Sequence, residues 1–243
     1  MKINPNTLAI PTIPPIHIGR RNAYHQAGLA VAVYLGNQQK NLPALHFQVA
    51  VRLPELKVGM GGRLTRTPGR YAARLEGGRL IPYLPYSYES ATRLLSPLEK
   101  RQCQCAFEAD VVNLLVGSLA EAKYVALRDG EVFNANLVYL GALKFYGGDQ
   151  ELKIIDGYMA CLLPDNQAEQ RKKLAELFLA AYSFINDRQN WQAIKALAEA
   201  IYNDPKEVFT CEEVIALVEL GHSSTHVVSQ NFSFDNAVER PMH

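Results

Sequence analysis

Tyr24-His25-Gln26-Ala27-Gly28-Leu29-Ala30-Val31 lies inside the stretch 21–36, whose reading decides the fold. Ala27, Ala30, Val31, Val33 and Tyr34 recur at helical spacing and share one broad apolar face. Gly36 and Asn37 follow and supply a stop. Before this helix, residues 1–20 hold Pro5, Pro11, Pro14 and Pro15 among Ile and Leu, which predicts an extended arm packed on the domain. After it, residues 43–54 read as a strand, with Leu45, Phe47, Val49 and Val51 alternating against His46, Gln48 and Arg52. Residues 59–87 are rich in Gly, Arg and Pro and predict short strands and turns. Within them 79–83 reads as an edge strand, bounded by Pro82 or Pro85.

From Ser96-Pro97 onward the pattern is helical. A long helix is expected to about residue 127, with a possible break at Gly117. Residues 132–146 fit strand or helix equally. Further helices are expected over 149–162, 167–185 and 191–202. Thr210 with Glu213 three residues on forms a capping-box pattern for a last helix to about residue 220. From Gly221 the chain is polar and reads as a tail. Strands between residues 40 and 90, with helices dominating the second half, give the α+β class, mainly helical. The domain expected is 21–220, between the arm and the tail.

The 243 residues are 48% apolar and 20% charged, a globular composition able to bury a sizeable core. No apolar run approaches the ~20 residues of a bilayer span, and the N-terminus lacks the apolar centre of a secretory signal. Four cysteines without zinc-finger spacing point to a reducing, cytoplasmic setting. The net charge of +1 hides an asymmetry. Residues 1–101 carry 14 Lys/Arg against 4 Asp/Glu, whereas 102–243 carry 11 against 20. Complementarity between the two halves is the simpler account; no nucleic-acid motif accompanies the basic half.

The chemistry is concentrated at His25. The run Ala23-Tyr24-His25-Gln26-Ala27-Gly28-Leu29-Ala30-Val31-Ala32 resembles the A-x-H-E-A-G-H-A helix of the FtsH-type ATP-dependent zinc proteases. In H-E-x-x-H the two His, one turn apart, face one metal, and the Glu takes a proton from the metal-bound water. Other segments agree in order. Glu108 to Glu121, with Gly117, is similar to that family's G-G-R-x-A-E helix. Gly147-Gly148-Asp149-Gln150-Glu151-Leu152 is similar to the start of the helix with the third metal ligand, and Trp191 to Ala198 to a late helix of the peptidase domain. The resemblance spans about residues 20–220 and implies a zincin-like fold with a small twisted sheet.

The departures weigh as much as the matches. Gln26 stands where the general base should be, and Leu29 where the second His should be. An amide is no base at a useful pKa, and Leu has no lone pair. His25 is the retained member of the trio. Asp149 or Glu151 corresponds to the third ligand: Asp149 keeps the residue type, Glu151 the position before Leu152. Helix N-terminal charge is the plainer account of both acids. Glu121 reads either as a support of the site helix or as a surface ion pair. There is no G-x-x-x-x-G-K-[ST] loop, so no ATP site is expected, and Gly61-Gly62 and Gly77-Gly78 read as turns.

Three smaller features carry weaker expectations. His222 and His226 have i, i+4 spacing but no neighbouring acid-base Glu. Cys103 and Cys105 are not a redox pair and read as structural. Arg63, Arg66, Arg70 and Arg74 read as a solvated face, or else as a surface for an acidic partner.

The function expected is a metallopeptidase-like protein without peptidase activity, binding a protein or peptide in the old cleft. Zinc remains possible only through a rearranged site built on His25 and Asp149 or Glu151. Such a site would add a displaced third group, such as His17, His46 or His222, with Glu121 activating water. A binder of nucleic acid or acidic protein through residues 52–101 is the third expectation.

Overall fold

Residues 20–39 form one helical rod in three pieces: α1 (Arg20–Val31), a π-helical turn (Ala32–Gly36) and α2 (Asn37–Gln39). Every residue of 23–31 is buried, so α1 is sheathed on all sides rather than amphipathic. The computed structural model describes residues 18–52, 57–58, 64–65, 72–135, 138–164 and 166–231. The expected arm through residue 17, the Gly61-Gly62 turn, Arg63, Arg66 and Arg70, and the chain after Asn231 lie outside the described residues.

The sheet follows. β1 (Phe47–Arg52) pairs antiparallel with β4 (Ala72–Gly77), Phe47 opposite Gly77 and Arg52 opposite Ala72. β2 (Lys57–Val58) and β3 (Leu64–Thr65) pair with each other between them. β5 (Val208–Phe209) joins the far side of β1, giving the order β4-β1-β5. One edge of β4 therefore faces away from the sheet, toward α1.

The edge strand is β4, and 79–83 is not a strand; that expectation is corrected. Gly77 and Gly78 have φ of +81° and +74°, which ends the strand before residue 79. The next amides, Leu80 and Ile81, donate to the carboxylate of Asp110 at 2.9 and 2.8 Å instead of to a neighbouring strand.

After α3 (Tyr88–Thr92), α4 (Pro97–Arg128) runs unbroken. Ser96 and Glu99 form a capping box and Pro97 takes the first turn. A Cβ on Gly28 would stand 3.2 Å from Gly117 Cα and 2.9 Å from the Val116 carbonyl. Gly117 thus marks the crossing of α1 over α4, not a break. α4 is the one helix among the described residues long and apolar enough to span a membrane, and 72% of that window is buried inside the fold.

Residues 140–146, left open between strand and helix, are a 3-10 helix (Leu140–Tyr146). The helices α5 (Asp149–Leu162), α6 (Gln167–Asn186) and α7 (Arg188–Asn203) fall where the periodicity put them. The last helix, α8 (Cys211–Asn231), has the expected Thr210–Glu213 box but continues well past Gly221. A Cβ on Gly221 would stand 2.8 Å from Ala196 Cβ and 2.9 Å from Ala193 Cα, so this glycine serves the α7–α8 contact. The result is mainly helical with a small three-stranded antiparallel sheet, an α+β arrangement. The core joins α1 and α4 to α7 and α8 through Leu115, Leu119, Ile194, Leu197 and Val214. Tyr24 stacks on Tyr124 at 4.3 Å between ring centroids, tying α1 to the C-terminal end of α4.

Candidate functional site

His25, Gln26 and Leu29 sit on α1 against the floor of a cleft of about 820 Å³, bounded by β4, α4 and the start of α5. His25 is buried and engaged at both ring nitrogens. Nδ1 lies 3.2 Å from the Tyr146 carbonyl and 3.3 Å from Glu121 Oε2. Nε2 lies 3.3 Å from Glu151 Oε1. Two N–H donors facing two carboxylates describe an imidazolium. Burial opposes the charge, but the bonds to Glu121 and Glu151 outweigh it and raise the His25 pKa to about 9. Burial likewise opposes the charge on Glu151, and His25 overrides it, holding the carboxyl below its ordinary value.

Glu121 is the buried support of the two readings considered for it. Arg21 Nε donates to its Oε1 at 2.7 Å, and a second Arg21 nitrogen donates to the Phe145 carbonyl at 2.6 Å. Arg21, His25, Glu121 and Glu151 thus form a charge-balanced quartet joining α1, α4 and α5. Its stability comes from each charge having a partner, since a lone charge at this depth would be expelled.

Gln26 is 7% exposed and its Oε1 accepts the Leu75 N–H at 2.6 Å. One turn earlier, Asn22 pairs doubly with Ala73: its Oδ1 accepts the N–H at 2.7 Å and its Nδ2 donates to the C=O at 3.2 Å. Four residues of helix advance about 6 Å and two of strand about 6.8 Å, so an i, i+4 pair matches alternate residues of an adjoining strand. The helix side chains therefore occupy part of the free edge of β4.

Of the two candidates for a third ligand, Glu151 reaches His25. Asp149 is exposed and pairs with Lys153 at 3.0 Å. His46 is exposed and does not line the cleft, and His17 lies outside the described residues. His222 is half-buried at a separate pocket with Asn113 and Asn190; it is helical, as its spacing to His226 requires, but the His226 side chain lies outside the described residues. Cys103 and Cys105 are free thiols.

A zinc ion of the H-E-x-x-H kind does not fit these residues. His25 has no ring nitrogen free, the second-ligand position is the buried aliphatic Leu29, and the Gln26 oxygen is committed to Leu75. Among the described residues, no group of three His, Cys, Asp or Glu is arranged to hold a metal.

Sequence reasoning missed Asn22, Arg21 and Asp110. Asn22 carried a visible signal, its i, i+4 spacing to Gln26; Arg21 and Asp110 carried none, because their partners are 100 and 30 residues away. Asp110 is 2% exposed, accepts the Leu80 and Ile81 amides, and takes a third bond from Tyr158 Oη at 2.9 Å. Burial raises its pKa against the pull of those donors. No family model matches this chain, and no curated protein or solved structure matches it.

Proposed function

We propose that this chain is a degenerate, zincin-like metallopeptidase-type domain that binds a protein or peptide in its cleft and does not hydrolyse it. The observation that carries the reading is the bond between Gln26 and Leu75. The residue that would move the proton in H-E-x-x-H is a neutral amide acting as a strut to β4. The His25 imidazolium, paired with Glu121 and Glu151, performs the same kind of structural work. The cleft stays open, and among the described residues no group of three His, Cys, Asp or Glu is arranged to hold a metal. The test is incubation of clean, untagged protein with unfolded protein substrate and added zinc. No cleavage is expected; metal-dependent cleavage that is lost in His25→Ala overturns the reading.

A rearranged metal site is the second reading, favoured by one atom. Glu151 Oε2 is buried with no hydrogen-bond partner among the described residues, beside His25 Nε2. Elemental analysis of protein purified without chelator separates the two. Stoichiometric metal absent from both His25→Ala and Glu151→Ala replaces the first reading by the second.

A further inference from the structure

The cleft carries unmet hydrogen-bonding capacity of a particular kind. Gln26 lines the cleft, and its Nε2, unlike its Oε1, bonds to no described residue. Arg74 and Arg79 line the same cleft, are exposed, and make no hydrogen bond or close ion pair with a described residue, though their charges act at longer range on Glu151 and Asp110. Of the nearby carboxylates, Glu121 and Asp110 are already answered, and Glu151 has one oxygen on His25. Glu121 holds Arg21 and His25, and Asp110 holds two backbone amides and Tyr158. The free groups on the walls are therefore mainly donors, two of them cationic.

The mode of binding is constrained by β4. Both the N–H and the C=O of Ala73 are taken by Asn22, and the N–H of Leu75 by Gln26. An extended chain laid along this edge finds few partners, so strand addition is disfavoured. Recognition falls to the side chains. Guanidinium groups suit carboxylates and phosphates alike. The cleft distinguishes them by its other wall: Glu151 Oε2 is buried and has no partner among the described residues, and a peptide backbone offers it an N–H at every residue, which a sugar-phosphate backbone does not.

We infer that the cleft takes an acidic peptide segment, with its carboxylates on Arg74 and Arg79 and a carbonyl on Gln26 Nε2, held by side chains and not by pairing with β4. This rests on the peptide-binding reading above and names its partner.

The experiment is selection of a random octapeptide display library on the full chain, in parallel with Arg74→Ala/Arg79→Ala. Both arginines are exposed, and matching thermal transitions check that the variant folds. The wild-type pool is expected to enrich Asp and Glu about threefold or more over input, an enrichment absent from the variant pool. Selected peptides, measured by fluorescence anisotropy, should lose about tenfold in affinity when their acids become amides. Enrichment without acidic bias, or an equal bias in the variant, overturns the inference and leaves peptide binding standing. No enrichment of any sequence overturns both. Tighter binding of a single-stranded RNA dodecamer than of the selected peptides overturns the choice of peptide.

Discussion

Gln26 Oε1 accepts the backbone N–H of Leu75 at 2.6 Å, so one buried side chain fastens the central helix to the edge of the sheet. Replacing Gln26 by Ala leaves that amide without its partner. The expected loss is about 1–3 kcal/mol in urea denaturation. Hydrogen exchange at the Leu75 amide should quicken before the core amides of β1 do. Unchanged exchange at Leu75 would show that the bond does not hold the edge.

Gly28 and Gly117 set the closeness of α1 to α4. A Cβ on Gly117 would lie 2.7 Å from Leu29 Cγ, and one on Gly28 2.6 Å from Ala120 Cβ. Gly117→Ala should destabilise by about 1–3 kcal/mol through overpacking. Leu29→Ala removes the atoms that the new methyl strikes, so the double variant should be more stable than the sum of the single losses. Strict additivity in a double-mutant cycle would refute this account.

The charge on His25 links stability to pH. Its folded pKa, about 9, is raised above the ordinary 6.5, so its contribution is complete below 6.5 and disappears as pH rises through 9. The shift is worth about 3 kcal/mol at most. Glu151, held below its ordinary value, acts at the other end; its contribution is lost as pH falls. Thermal transitions measured from pH 6 to 10 should decline across the alkaline half for the wild type. The decline should flatten in His25→Asn. A wild-type imidazole titrating near 6.5 by NMR would contradict the arrangement.

Asp110 organises the loop after β4 through Leu80, Ile81 and Tyr158. Tyr158→Phe removes the hydroxyl whose single proton is shared between Asp110 Oδ2 and the Ile81 carbonyl, at an expected cost of about 1–2 kcal/mol. Asp110→Asn keeps the shape but offers one acceptor oxygen where two amides now bind. Faster exchange at Leu80 or Ile81, with helices α6 and α7 unaffected, is the expected signature.

The sequence by itself located the longer helices, though not α3, the continuation of the first rod to Gln39 or the end of α8. Local spacing, the Ser96-Pro97 helix start and the Thr210–Glu213 box depend only on near neighbours, and these agree with the structure. It also carried the chemistry of two side chains, because Gln26 is no base and Leu29 no metal ligand wherever they lie. Glycine was legible only as a small residue. Gly117 and Gly221 look like stops in the chain, yet each lies within a continuous helix that packs closely against another. Only the tertiary structure decided that, since a crossing depends on a helix distant in sequence. It likewise chose Glu151 over Asp149, and β4 over residues 79–83 as the edge strand. In these cases the deciding contacts are long-range: Glu151 meets His25 across 126 residues, and Asp110 captures Leu80 across 30. No local pattern encodes which carboxylate a folded chain will bring to a given donor.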